Sequence, residues 1–128
     1  MLVSPSDVVA KAKATIKECS IRDVNDCMNE DTVLIDIREP MEYQRGHIRG
    51  AMIIPRGLLE FEIIPALEKR VTNGHIAECD IVLYCGTGGR SALAAKSLDA
   101  MGFRNVKSMD GGIVAWAEAQ LPLETPRA

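Results

Sequence analysis

Ile81-Val82-Leu83-Tyr84-Cys85-Gly86-Thr87-Gly88-Gly89-Arg90-Ser91 joins two kinds of local order. Its first four residues are apolar and partly β-branched, the composition of a strand buried on both faces. From Arg90 or Ser91 to Met101 the pattern becomes helical, with Ala94, Ala95, Leu98 and Met101 on one face and Lys96, Ser97 and Asp99 elsewhere, until Gly102 stops it. Three glycines fill the space between strand and helix. A buried strand that turns through glycine directly into a helix is half of a βαβ unit.

The flanking sequence repeats this alternation. Residues 32–36, 51–54 and 105–109 read as further buried strands, and residues 39–45, 58–70 and 113–119 as helices. A parallel α/β sheet with crossover helices follows. Residues 8–16 and 22–28 read as short helices, with Ser6 or Asp7 capping the first and Asp23 the second. Pro65 is expected to break or restart the helix around it. The tail after residue 120 holds two prolines and reads as an end without chemistry.

Composition bounds what such a sheet can do. In 128 residues, 47% hydrophobic and 26% charged, folding buries roughly two thirds of the chain surface, enough for one domain with its own core. Fifteen basic against eighteen acidic residues give a net charge of −3, so there is no general attraction to nucleic acid or to an anionic membrane. An aromatic content of 4% is too low for a base-stacking platform. The longest apolar runs, such as 81–85 and 113–117, fall far short of the roughly 20 residues of a spanning helix. Residues 1–17 lack the pattern of a secretory leader, so a cytoplasmic location is expected. Cys19, Cys27, Cys79 and Cys85 form no C-x-x-C pair and have only His47 and His75 to join them, so no metal site is expected and no cofactor is implied.

The chemistry concentrates at Cys85, where the strand ends and the helix is about to begin. Glycines allow the positive φ values of a tight turn and let backbone N–H groups converge on one point. The helix adds its free N-terminal amides and the positive end of its dipole, which favours a thiolate over a thiol. Cys19, Cys27 and Cys79 lack this setting and read as small hydrophobes. The glycines do not make a nucleotide loop, since neither G-x-x-x-x-G-K-[ST] nor G-x-G-x-x-G is present.

A set of ordered motifs now joins this loop. Asp36-Ile37-Arg38-Glu39, Glu42-Tyr43, Gly46-His47-Ile48-Arg49-Gly50-Ala51, Ile54-Pro55, the loop from Cys85 to Arg90, and Gly111-Gly112 with Trp116 together resemble a rhodanese domain over residues 20–121. The resemblance implies a five-stranded parallel sheet flanked by helices on both faces, occupying residues 20–128, with residues 1–19 as an added helical extension. It also implies a sulfurtransferase in which Cys85 carries sulfane sulfur as a persulfide, held by the amides of Gly86, Thr87, Gly88, Gly89, Arg90 and Ser91. Thiosulfate or a persulfide would be the donor, and a thiol or cyanide the acceptor. Arg90 is the only charged residue of the loop and is expected to help bind an anionic donor.

Two rivals share the resemblance. A cysteine-dependent phosphatase or arsenate reductase uses C-x5-R, whereas Cys85 and Arg90 make C-x4-R, a loop better sized for one sulfur than for a tetrahedral phosphate. No acid follows the loop until Asp99 or Asp110 to protonate an alkoxide leaving group. A catalytically silent binding module would be preferred if the cysteine were missing, and it is present. The other motif residues read as architecture: Asp36 and Arg38 pairing or bracing loops, His47 bonding backbone in a turn, Trp116 in the core. Arg38, Arg45, Arg49 and Arg56 give a basic bias that steers anions or forms a solvated surface, partly offset by Asp36, Glu39 and Glu42. The sequence does not set an oligomeric state.

Overall fold

The apolar run 81–84 lies at the centre of a five-stranded sheet in the computed structural model, which describes residues 1–126. In chain order the strands are β1 (Lys17–Cys19), β2 (Thr32–Asp36), β3 (Met52–Ile53), β4 (Asp80–Tyr84) and β5 (Val106–Met109). Across the sheet they run β1-β5-β4-β2-β3, and every pairing is parallel. The helices are α1 (Pro5–Lys13), α2 (Ile21–Cys27), α3 (Pro40–Arg45), α4 (Leu59–Arg70), α5 (Gly89–Met101) and α6 (Gly112–Glu118). The expected α/β fold class is the one observed. No helix among the described residues is long and apolar enough to cross a membrane.

A side-chain period of two sorts the sheet into two cores. Val33, Ile35, Ile81, Leu83 and Cys85 point to one face, packed against Leu59, Ile63 and Leu67 of α4 and Ala94, Ala95 and Leu98 of α5. Leu34, Val82, Tyr84 and Met109 point to the other, against Val24 of α2 and Ile113 and Trp116 of α6. Both faces of β2 and β4 are covered, which is why these strands read as unbroken apolar runs rather than as alternation. α1 packs on α5. Met101, expected on the buried face of α5, is instead 40% exposed at its last turn.

Several expectations are corrected. β1 is formed by Lys17-Glu18-Cys19, inside the stretch expected to be a helical extension, so the sheet begins before residue 20. Strands expected at 51–54 and 105–109 shorten to β3 and β5. The cap of α1 is Ser4, whose Oγ accepts from Asp7 N–H at 3.2 Å, and not Ser6 or Asp7. Pro5 explains this, because proline prefers the first helical position. Asp23 does cap α2, in a reciprocal pair with Ser20. Pro65 neither breaks nor restarts α4. Phe61, whose carbonyl loses the bond to residue 65, and Pro65 itself are both exposed, so the missing bond falls at exposed residues of the helix. The tail is tied down as far as Glu124, which exchanges backbone hydrogen bonds with His47 at 2.8 and 2.9 Å.

A buried polar knot fixes the carboxyl ends of β2 and β4. The Asp36 carboxylate, wholly buried, accepts from Arg38 Nε at 3.0 Å, from Arg38 Nη2 at 2.7 Å and from the Tyr84 hydroxyl at 2.7 Å. Arg38 Nη2 also donates to the Gly46 carbonyl at 2.7 Å, and the Tyr84 hydroxyl accepts from Ile48 N–H at 3.1 Å. The expected pairing of Asp36 with Arg38 is thus observed, and it braces the turn after α3. His47 adds a ring stack on Tyr43 with centroids 3.9 Å apart. Every buried polar group here has a partner, which such a knot requires in order to stabilise the fold. Tyr84→Phe should lower the unfolding free energy by about 1–3 kcal/mol, since it strips both Asp36 and Ile48 N–H of a partner in a dry site. Denaturant titration checks this, and an unchanged midpoint would show the knot to be incidental.

Candidate active site

Tyr84 is held from both sides, so the chain leaves β4 at a fixed point and Cys85 follows it, 1% exposed. Gly88 takes φ +104° as the residue capping α5, a left-handed turn that suits glycine. The turn brings two amides onto the sulfur: Gly88 N–H donates to Sγ at 3.2 Å and Ser91 N–H at 3.3 Å. Among the described residues these are the two loop amides that reach Sγ; Gly86, Thr87, Gly89 and Arg90 complete the loop around it. Thr87 is exposed at its tip. The thiol donates to Ser91 Oγ at 3.5 Å, and Ser91 Oγ lies 2.7 Å from Ser108 Oγ of β5. Ser91 and Ser108 are both fully buried. On an ionised sulfur the Ser91 hydroxyl has only to rotate to become a third donor, with Ser108 donating to it in turn.

The start of α6 holds the loop in this orientation. Ile113 N–H donates to the Cys85 carbonyl at 2.9 Å and Val114 N–H to the Gly86 carbonyl at 3.0 Å. Two orphan amides of one helix thereby turn those carbonyls away from the loop interior. Contact this close requires glycine at residue 112: φ is +61°, and a Cβ there would stand 2.5 Å from the Gly86 carbonyl carbon and 2.6 Å from the Cys85 oxygen.

The one charge of the loop is already engaged. Arg90 Nη1 and Nη2 grip Glu42 of α3 at 3.0 and 3.1 Å. A Cβ on Gly86 would lie 3.3 Å from Nη2, and Arg90 also interacts electrostatically with Cys85. The hydrogen bond from Arg90 holds the Glu42 carboxyl down to about 2. The stability this pair contributes is therefore present above the ordinary carboxylate range and lost as pH falls through about 2. Burial pushes the Cys19 thiol up to about 11 and the Cys79 thiol up as well. Cys79 sits at the opposite end of β4 from Cys85, beside a polar cleft of about 370 Å³ that also touches Arg70 and His75. Glu42 and Gly112 stand in the sequence as motif residues, and Ser108 belongs to no motif. A buried serine in the short strand Val106-Lys107-Ser108-Met109 was the one available signal for the last.

The chain belongs to the rhodanese-like domain family, which matches residues 20–119. Among its relatives, a sulfurtransferase of Allochromatium vinosum is 35% identical over 97 residues, 76% of this chain and 82% of that one. Some curated relatives are longer: the chain spans 29% of one and 45% of another. The polysulfide-sulfur transferase homodimer of Wolinella succinogenes has a similar structure, with TM-score 0.72, 32% identity, and coverage of 94% of this chain and 87% of that one. A Rhodopseudomonas palustris protein of unknown function, described as a possible tyrosine phosphatase, gives TM-score 0.79 at 31% identity and covers 97% and 96%. At family level the activity is that of the rhodanese and sulfurtransferase enzymes.

Proposed function

We propose that the domain transfers sulfane sulfur through a persulfide on Cys85, from thiosulfate or a low-molecular-weight or protein persulfide to a thiol or cyanide. The observation that carries this is the convergence of Gly88 and Ser91 N–H groups on Cys85 Sγ. Amide donors aimed at one sulfur stabilise negative charge there, first on the thiolate and then on the persulfide. The thiolate attacks the outer sulfur of thiosulfate, the sulfur–sulfur bond breaks, and its electron pair leaves with sulfite. Charge balances, since a monoanion and a dianion give a persulfide monoanion and a sulfite dianion. An acceptor thiolate or cyanide then attacks the outer sulfur of the persulfide and returns Cys85 as thiolate. Each half is a nucleophilic displacement with a stable leaving group, so the cycle is ping-pong and needs neither general acid nor cofactor.

Phosphoryl transfer, suggested by the description of the Rhodopseudomonas protein, fits less well. The C-x4-R loop closes on a single sulfur, and an alkoxide leaving group would need a proton. Glu42, which grips the loop arginine, is held ionised, Asp110 is paired with Lys13 at 3.5 Å, and Asp99 lies in the last turn of α5. Incubation with thiosulfate should add the mass of one sulfur atom to the peptide containing Cys85, and cyanide should remove it as thiocyanate. Hydrolysis of an aryl phosphate faster than thiocyanate formation would overturn the proposal.

A further inference from the structure

Arg90 supplies the only positive side chain of the loop, and a donor such as thiosulfate brings two negative charges. The free site nonetheless presents little positive charge, because both guanidinium nitrogens that would meet the donor's oxygens are bonded to Glu42. A bidentate pair of this kind matches the geometry in which arginine grips a sulfonate, so the two compete for one fork. Glu42 is held from a second side, since its Oε2 also accepts from Glu39 N–H at 2.8 Å at the start of α3. It cannot swing clear without giving up that cap. Both side chains keep partial contact with water, 43% exposed for Arg90 and 36% for Glu42, so the pair parts at a finite cost instead of locking the site.

We infer that Glu42 is a specificity-determining residue: by holding Arg90 it makes the site discriminate against sulfur donors in proportion to their negative charge, so that donors of low charge are preferred over thiosulfate. The inference rests on sulfur transfer through Cys85. It deepens that function by naming the donor class. A dianion entering the loop must share Arg90 with a carboxylate or sit beside that carboxylate's charge, whereas a monoanion or a persulfide on a protein meets less of either penalty. Depression of the Glu42 carboxyl agrees with the geometry and keeps the pair intact throughout the neutral range.

Thiosulfate and methanethiosulfonate test this directly. Both offer an outer sulfur to the thiolate and are close in size, but one carries two charges and leaves as sulfite while the other carries one and leaves as a sulfinate. Thiocyanate formation is followed with each donor for the wild type, Glu42→Gln, Arg90→Ala and the double variant. The glutamine keeps an oxygen for Glu39 N–H. Glu42→Gln should lower KM for thiosulfate roughly fivefold, lower it less for methanethiosulfonate, and place the change in KM rather than kcat. Arg90→Ala should raise KM for thiosulfate and shrink the effect of Glu42→Gln. Should Glu42→Gln prove unstable, Glu42→Asp withdraws the carboxylate by one methylene and should shift the donor ratio in the same direction by less. An unchanged donor ratio, or an effect undiminished in the Arg90→Ala background, overturns the inference while leaving sulfur transfer standing. Absence of thiocyanate from the wild type with both donors overturns sulfur transfer itself, and the inference with it.

Discussion

Cys85→Ser is expected to give a folded protein that forms no detectable thiocyanate from thiosulfate and cyanide. The hydroxyl fits where the thiol sat, and Gly88 and Ser91 N–H groups, at 3.2 and 3.3 Å from sulfur, retain an acceptor, so stability should change by no more than about 1–2 kcal/mol. The chemistry has no such substitute. A serine hydroxyl ionises far above neutral pH, and two amides and a helix N-terminus do not close that gap. An oxygen also has no stable equivalent of the persulfide to pass on. Mass spectrometry should show no added sulfur, while the unfolding transition stays near that of the wild type. Cys19→Ser and Cys27→Ser should keep most activity: Cys19 is held as a thiol by burial and Cys27 is an exposed residue of α2, remote from the loop in sequence. Full activity in Cys85→Ser would remove this residue from the mechanism.

What the sequence made legible was what neighbouring residues decide. The strand 81–84, the glycine turn and the helix to Met101 are each set by local period and local backbone freedom, and all three appear in place. Lys17-Glu18-Cys19 was illegible as a strand because nothing within three polar or half-buried residues marks it. It exists through its pairing with residues 107–109, ninety positions away. The same holds within the site. Cys85 and its loop could be read directly, yet Glu42 meets Arg90 across 48 residues and Ser108 meets Ser91 across 17. Such contacts are made by the order β1-β5-β4-β2-β3, which sequence pattern alone does not rank against other orders of the same strands. Gly111-Gly112 is intermediate. The pair was visible as a motif, but its purpose, close approach of α6 to the carbonyls of Cys85 and Gly86, depends on where the fold puts that helix.

That close approach leads to the largest expected stability effect. Gly112→Ala places a methyl group against the Gly86 carbonyl oxygen, 2.5 Å from its carbon and 2.6 Å from the Cys85 oxygen, at φ +61°. All three atoms are backbone, so no flexible side chain can move aside. If α6 retreats, the bonds from Ile113 N–H and Val114 N–H to those carbonyls are lost. If the loop retreats, Gly88 and Ser91 N–H groups lose their aim at sulfur. The positive φ costs about 1–2 kcal/mol for a residue with a Cβ, and each buried group left unpaired costs about 1–3 kcal/mol more. A total loss above about 4 kcal/mol is therefore expected, large against a typical domain stability of about 5–15 kcal/mol. Activity should fall further than the folded fraction does, by about a hundredfold in molecules that remain folded, because a displacement near 1 Å is enough to misalign a nucleophile. Gly57→Ala provides the control, since a Cβ there meets nothing within 4 Å and should be nearly neutral. Denaturant unfolding of both variants, with transfer rates measured well below the transition, separates the two effects. A Gly112→Ala protein within about 1 kcal/mol of wild type and fully active would mean that α6 does not hold the loop, and that the amides find the sulfur without it.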